Sequence, residues 1–407
     1  GYHRQCAHAD AGESTRTAAQ RLGCGQYGNI FSYWLDTLSG AATRAATAQI
    51  TSTLTANRTA ILRYNVSLFV KTSTSGKSTV AEFIVGNPLR KWARDNRVLR
   101  ELLWRLDFVL VWVVTKLARL LPIDTASRFG ERVGSWIGPK LKQKTAIYRA
   151  NLAIAFPDLS DAELDKLVIR AWGRSGRVMA EYPHLAKILE EDERLQIDIR
   201  EPIETYENPA RPCVIVTAHQ SNWEVVCSAM AKLHIPNASL YSPPTNPLLD
   251  RMLLESRSAL NCELLPRENS ARPLMRALKQ GKTAAMVMDR RVDEGKAIPF
   301  FGREKLSTIM PAKLALKFNC DLVPVQVERL QDAHFKVTFH PPVRPRDPSA
   351  DDNEQAIDMI EQVHAQFENW IRQQPEDWFC SKRLWPKGKL ANTEETGHDA
   401  NTDSHAA

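Results

Sequence analysis

The chain has 407 residues, of which 43% are hydrophobic, 25% charged and 8% aromatic, which excludes a disordered polymer and leaves ample length for a buried core. Its seven cysteines are scattered without a C-x-x-C pair, which argues against a disulfide framework or a structural zinc site and suits a reducing compartment. The net charge of +7 is uneven: residues 88–150 hold 14 Lys and Arg against five acids, so the rest of the chain is slightly acidic.

Residues 1–87 are rich in Ala, Thr and Ser, poor in acids and without helical or strand periodicity. They read as a disordered extension outside the working domain, and because the first methionine is Met179 residue 1 is not expected to be the natural start. No secretory signal is evident. Thr74-Ser75-Gly76-Lys77-Ser78-Thr79 imitates a phosphate loop, but position 71, where that motif needs glycine, is Lys71.

The most apolar stretch, Leu102 to Leu121, follows Arg90, Lys91, Arg94, Arg97 and Arg100, and is interrupted by Arg105, Asp107, Lys116 and Arg119. A spanning helix needs about 20 apolar residues. The pattern instead predicts, over residues 88–125, a basic helix lying on or partly in a membrane surface, its long cationic side chains reaching the head groups.

Helices are predicted over Lys142–Phe156 and Asp161–Trp172, the second capped by Ser160. From Cys213-Val214-Ile215-Val216-Thr217 the pattern changes to short β-branched runs, as in strands covered on both faces. Further strands are expected at Ala284–Met288, Leu322–Glu328 and Phe335–Phe339, alternating with helices at Pro247–Leu260, Ala271–Gln280, Ile309–Phe318 and Asn353–Arg372. The fold class is therefore α/β, a mixed central sheet flanked by helices behind an N-terminal membrane-associated helix, with the working domain over 126–388 and a disordered tail over 389–407.

The first predicted strand runs into Ala218-His219-Gln220-Ser221-Asn222-Trp223-Glu224, at the carboxyl end of a strand where open α/β sheets hold their active groups. With His219 in the turn and Glu224 in the first helical turn, the carboxylate can fix the imidazole tautomer and leave the other nitrogen as a general base. Ser221-x-x-Glu224 is equally a helix capping box, in which Glu224 serves only the backbone.

Several blocks recur in order after this element: Ser256-Arg257-Ser258, Pro266-Arg267-Glu268-Asn269, Met286-Val287-Met288-Asp289, Ile298-Pro299-Phe300-Phe301-Gly302-Arg303, Leu322-Val323-Pro324-Val325 and Pro375-Glu376-Asp377-Trp378-Phe379. With the basic apolar helix, they make residues 90–386 resemble the late acyltransferases of lipid A biosynthesis. The sequence departs from that family's usual pattern at Arg290, at Met310 and at Ser381-Lys382-Arg383.

The resemblance implies transfer of a fatty acyl chain from acyl carrier protein to a hydroxyl of a lipid A precursor at the cytoplasmic face of a bacterial inner membrane. His219 would act as base oriented by Glu224, with no cofactor and no metal. Arg257, Arg267, Asp289, Arg303 and Asn222 would bind or shape the substrates, Phe300 and Phe301 lining an acyl or acceptor groove. Acyl carrier protein, an anionic glycolipid and the membrane are the implied partners. An acyl-CoA-dependent acyltransferase acting on another glycolipid is the nearest alternative. A non-catalytic membrane- or nucleic-acid-binding protein is the alternative from another class, although the cations surround an apolar helix and lack the aromatic interleaving of a single-strand binder.

Overall fold

The computed structural model describes residues 89–208, 211–260 and 262–386; the two segments expected to be disordered, 1–87 and 389–407, lie outside the described residues. Helices α1 (Arg90–Asp95), α2 (Arg97–Arg119), α3 (Ile123–Ile137), α4 (Lys142–Ala155), α5 (Asp161–Glu181) and α6 (Leu185–Glu190) precede the first strand. Asn96 caps α2 by accepting from the Leu99 N–H. Val98, Leu102, Leu106, Val109, Val113, Leu117 and Leu120 recur along one exposed stripe of this helix, whereas Leu103 and Asp107 are buried. The Trp104 and Ala118 carbonyls are bonded to Asn246 and His184, so α2 is docked on the body of the protein. No helix among the described residues is long and apolar enough to cross a membrane.

Ser160 forms the expected cap of α5, as one half of a capping box with Glu163. The helix continues nine residues past the predicted end and delivers Glu181 to the interior. It does so against α3 through glycines: a Cβ on Gly176 would lie 2.1 Å from the Gly130 carbonyl oxygen. Such a contact can be relieved only by separating the two helices. Gly176→Ala should therefore destabilise the protein by about 1–3 kcal/mol, visible as a lowered urea midpoint.

The sheet contains β1 (Leu195–Ile199), β2 (Val214–Thr217), β3 (Asn237–Tyr241), β4 (Cys262–Pro266), β5 (Thr283–Val287), β8 (Leu322–Arg329) and β9 (Phe335–Phe339), in the order β1-β9-β8-β2-β5-β3-β4. All neighbours are parallel except β8 and β9, so the sheet is mixed as predicted. A separate hairpin pairs β6 (Lys296–Phe300) with β7 (Arg303–Ser307) through Phe301 and Gly302, both left-handed as a two-residue hairpin turn requires.

The remaining helices are α7 (Glu204–Glu207), α8 (Val225–Lys232), α9 (Pro247–Arg257), α10 (Ala271–Lys279), α11 (Met310–Phe318) and α12 (Asp352–Gln373). Alternate residues of β2 enter opposite cores. Val214 and Val216 join the α10, α11 and α12 side, and Ile215 joins the α8 side with Val225, Val226 and Ala229. Both faces of this central strand are thus apolar, which is why its sequence reads as one continuous run.

Candidate active site

The chain leaves the sheet after Thr217, whose carbonyl still accepts from Met288 at the end of β5. Residues 219–222 are then clamped from several directions. Phe379 donates its N–H to the His219 carbonyl at 2.7 Å, Ser221 donates to the Asp377 carbonyl at 2.9 Å, and the Gln220 amide donates to the Trp370 carbonyl at 2.9 Å. Ser221 takes a left-handed backbone conformation with φ of 52°, which turns the chain sharply before α8. This loop holds His219 at the carboxyl edge of the parallel strands.

The orienting acid of His219 is Asp289. The His219 Nδ1 lies 2.5 Å from Asp289 Oδ1, and the other carboxylate oxygen accepts from Trp378 Nε1 at 2.9 Å. Asp289 is 1% exposed and His219 8%. Burial drives the Asp289 carboxyl upward, but the His219 ring, the Trp378 N–H and the Lys305 charge outweigh it and hold the group well below the usual carboxylate range. An ionised carboxylate only accepts hydrogen bonds, so the proton sits on Nδ1 and the Nε2 lone pair is left for chemistry. Burial also holds the imidazole below its ordinary pKa, Arg290 adding to the depression while Asp289 opposes it. The ring is therefore neutral near pH 7, as a base must be.

Glu224, predicted to orient His219, is engaged elsewhere. Its carboxylate receives the Arg257 guanidinium, the Tyr182 hydroxyl at 2.7 Å and the Trp223 Nε1 at 3.0 Å. The capping box is absent too, because α8 starts at Val225 with no side-chain cap. The reason is spatial: Glu224 turns toward the last turn of α9, which carries Arg257, while the end of β5, beside β2 in the sheet, brings Asp289 to the ring. Trp223 stands between the two clusters, its ring centroid 5.0 Å from that of His219 and in edge-to-face orientation.

The other predicted residues divide in the same way. Asn222 is fully buried with its amide on Glu181 at 3.0 Å, so it anchors the loop and is not a substrate contact. Phe300 and Phe301 are buried against Trp378 and do not line a groove; the apolar turn of the hairpin folds into the core. Arg303 sits partly exposed on that hairpin, and Arg267 is exposed just after β4. Among the described residues no group of three or more His, Cys, Asp and Glu could hold a metal ion.

Four contributors went unassigned in the sequence: Trp378, Tyr182, Arg290 and Lys305. Lys305 is fully buried, with Nζ on the Asp289 carbonyl oxygen at 2.8 Å and 4.5 Å from the Phe300 ring centroid. Burial pushes its pKa down to about 8, against the pull of Asp289. Between pH 8 and the unfolded value near 10.5 the unfolded chain binds more protons at this residue, so its contribution to stability rises with pH across that window. The full change is of the order of 3 kcal/mol. Lys305→Met should abolish this alkaline gain, read as the difference between the two proteins' urea-unfolding curves at pH 7.5 and pH 10.

A family model described as bacterial lipid A biosynthesis acyltransferase matches residues 94–387. The chain is 21% identical over 293 residues to the lipid A biosynthesis acyltransferase of Haemophilus influenzae, covering 70% of this chain and 86% of that one. It is 24% identical over 292 residues to the lipid A biosynthesis lauroyltransferase of Escherichia coli, covering 68% and 89%. With the lipid A biosynthesis palmitoleoyltransferase of Escherichia coli it shares 25% identity over 194 residues, covering 46% and 62%.

Proposed function

Since the chain belongs to the bacterial lipid A biosynthesis acyltransferase family and is an acyltransferase, we propose that it moves a fatty acyl chain from acyl carrier protein to a hydroxyl of a lipid A precursor, with His219 as the general base and Asp289 as the acid that orients it. The observation that carries the reading is the His219–Asp289 hydrogen bond, which occupies Nδ1 and leaves the Nε2 lone pair of a residue at the carboxyl edge of the sheet for chemistry.

In this mechanism Nε2 removes the proton of the acceptor hydroxyl as its oxygen attacks the thioester carbonyl. The tetrahedral intermediate collapses with cleavage of the C–S bond, and the imidazolium returns the proton to the departing thiolate. Asp289 stays ionised and stabilises the transient imidazolium. A thioester is already activated, so positioning and a base account for most of the required acceleration.

Delivery of the two substrates follows from charge and apolar surface. The exposed stripe of α2, flanked by Arg97, Arg100, Arg105, Lys116 and Arg119, suits the surface of an anionic bilayer, which supports a reading in which the enzyme meets its glycolipid at the cytoplasmic face of the inner membrane. The same basic region favours an acidic carrier protein.

The test is transfer of a labelled acyl group in detergent to a tetra-acylated, Kdo-bearing lipid A precursor. Acyl carrier protein and coenzyme A are supplied as alternative acyl donors. Transfer from acyl carrier protein that is lost in His219→Ala is the expected result. Preference for acyl-CoA would overturn the donor assignment, and no transfer to this acceptor would overturn the acceptor assignment.

A further inference from the structure

Among the described residues, two arginines at the carboxyl edge of the sheet make no close ion pair. Arg290 follows Asp289 just beyond β5, and Arg267 follows β4, its backbone N–H on the carbonyl of Tyr241 at the end of β3 at 2.9 Å. Because β3 lies between β4 and β5, both residues stand at the same carboxyl edge of the sheet as His219. Neither forms an ion pair with a carboxylate among the described residues. Asp289, the acid next to Arg290 in the chain, has one oxygen committed to His219 and the other to Trp378. Arg257 is different, since its charge is answered by Glu224.

The Nε of Arg290 is buried without a hydrogen-bond partner. Burial lowers the proton affinity of Arg290 below the ordinary range; the Asp289 charge opposes it, and the neighbouring Arg267 charge adds to the depression, so two cations share one region. A partly desolvated guanidinium with unused donors, facing a second cation, is costly by itself. It becomes favourable when an anion with several acceptor oxygens joins the two.

We propose that Arg290 and Arg267 form a phosphate-binding subsite beside His219, which seats a phosphate group of one of the two substrates. The inference rests on the acyltransferase reading and adds to it a residue pair that positions substrate. Two sources supply the same chemistry: the phosphodiester of a phosphopantetheine-borne donor, and a sugar-phosphate monoester on the acceptor.

Steady-state kinetics on the full chain in detergent separates these sources. One arm compares acyl-pantetheine with acyl-4′-phosphopantetheine as donor, and the other compares the glycolipid acceptor with and without its phosphate monoesters. In one arm the wild-type KM should be at least about tenfold lower for the phosphorylated compound. Arg290→Gln should erase that difference by raising KM for the phosphorylated compound toward the value for the dephosphorylated one, and exposed Arg267→Gln should reduce it. A wild type that fails to discriminate in either arm, or an undiminished preference in Arg290→Gln, overturns the subsite.

Binding of labelled inorganic pyrophosphate, measured by equilibrium dialysis, tests the subsite without turnover. Saturable binding by wild type that Arg290→Gln loses supports it, even if no acyl transfer is seen and the proposed reaction fails. Equal binding by the two proteins, or none by either, overturns it.

Discussion

Asp289→Asn lowers kcat by about three to four orders of magnitude and leaves KM for both substrates within a few fold, the size of loss expected when the orienting acid of a catalytic histidine is made neutral. An asparagine amide that donates to Nδ1 forces the imidazole proton onto Nε2, where the base is needed. If its carbonyl accepts instead, the tautomer survives but the charge that stabilises the imidazolium is gone. The Trp378 indole contact selects between these outcomes, because its Nε1 can only donate. The indole claims the amide oxygen and leaves the NH2 group toward His219, the damaging arrangement. Glu224→Gln acts elsewhere: it takes the charge partner from Arg257, so the loss falls on stability, with a far smaller fall in kcat per folded molecule than in Asp289→Asn. Parallel kinetics of the two variants, normalised to folded protein, check this.

The largest effect on stability is expected at Glu181, far from the chemistry in sequence. Its carboxylate is fully buried and accepts both Arg329 Nη atoms at 2.5 and 3.0 Å, the Ser127 hydroxyl at 2.6 Å and the Asn222 amide. Glu181→Ala leaves the buried Arg329 without its carboxylate and should cost about 3–5 kcal/mol, a large part of the stability of most single domains. Arg329→Met should cost a similar amount for the mirror reason. The double variant Glu181→Leu with Arg329→Met should cost much less than the sum, because no uncompensated charge remains. Urea unfolding of the three proteins measures it, and additivity would contradict the coupling. Since Asn222 hangs from the same carboxylate, the single variants should also loosen the 219–222 loop, seen as faster amide exchange at Ser221.

The strands that the sequence revealed are those buried on both faces. Val214–Thr217 is wholly apolar or β-branched and Leu322–Arg329 opens with a run of apolar residues, and they occupy the centre of the sheet. The missed strands are β1 at one edge of the sheet, β3 and β4 toward the other, and the two strands of the hairpin. Asn237–Tyr241 and Cys262–Pro266 carry polar, acidic or proline residues, Lys296–Phe300 holds a proline, and Arg303–Ser307 opens with three consecutive charges, so none shows a strand period.

The site was legible in part for a related reason. His219 is visible because strand, turn and helix are contiguous there. Asp289 was recognised as a site residue through the ordered blocks, yet its bond to His219 spans 70 positions and depends on β2 and β5 being neighbours, which no local spacing encodes. Glu224 was assigned to His219 because it is close in the chain, but Arg257, at the end of α9, and the Tyr182 hydroxyl claim it in space. Lys305 reads as one more surface cation in a run of three charged residues; only the docking of the hairpin over Asp289 makes it a buried one.

Long-range proton–nitrogen NMR of histidine-labelled protein in detergent at pH 7 tests most directly whether Asp289 sets the state of His219. A neutral His219 ring protonated on Nδ1 with a bare Nε2 is expected, a tautomer retained in Glu224→Gln and lost in Asp289→Asn. A ring protonated on Nε2 in the wild type, or a tautomer that changes with Glu224 and not with Asp289, would contradict it.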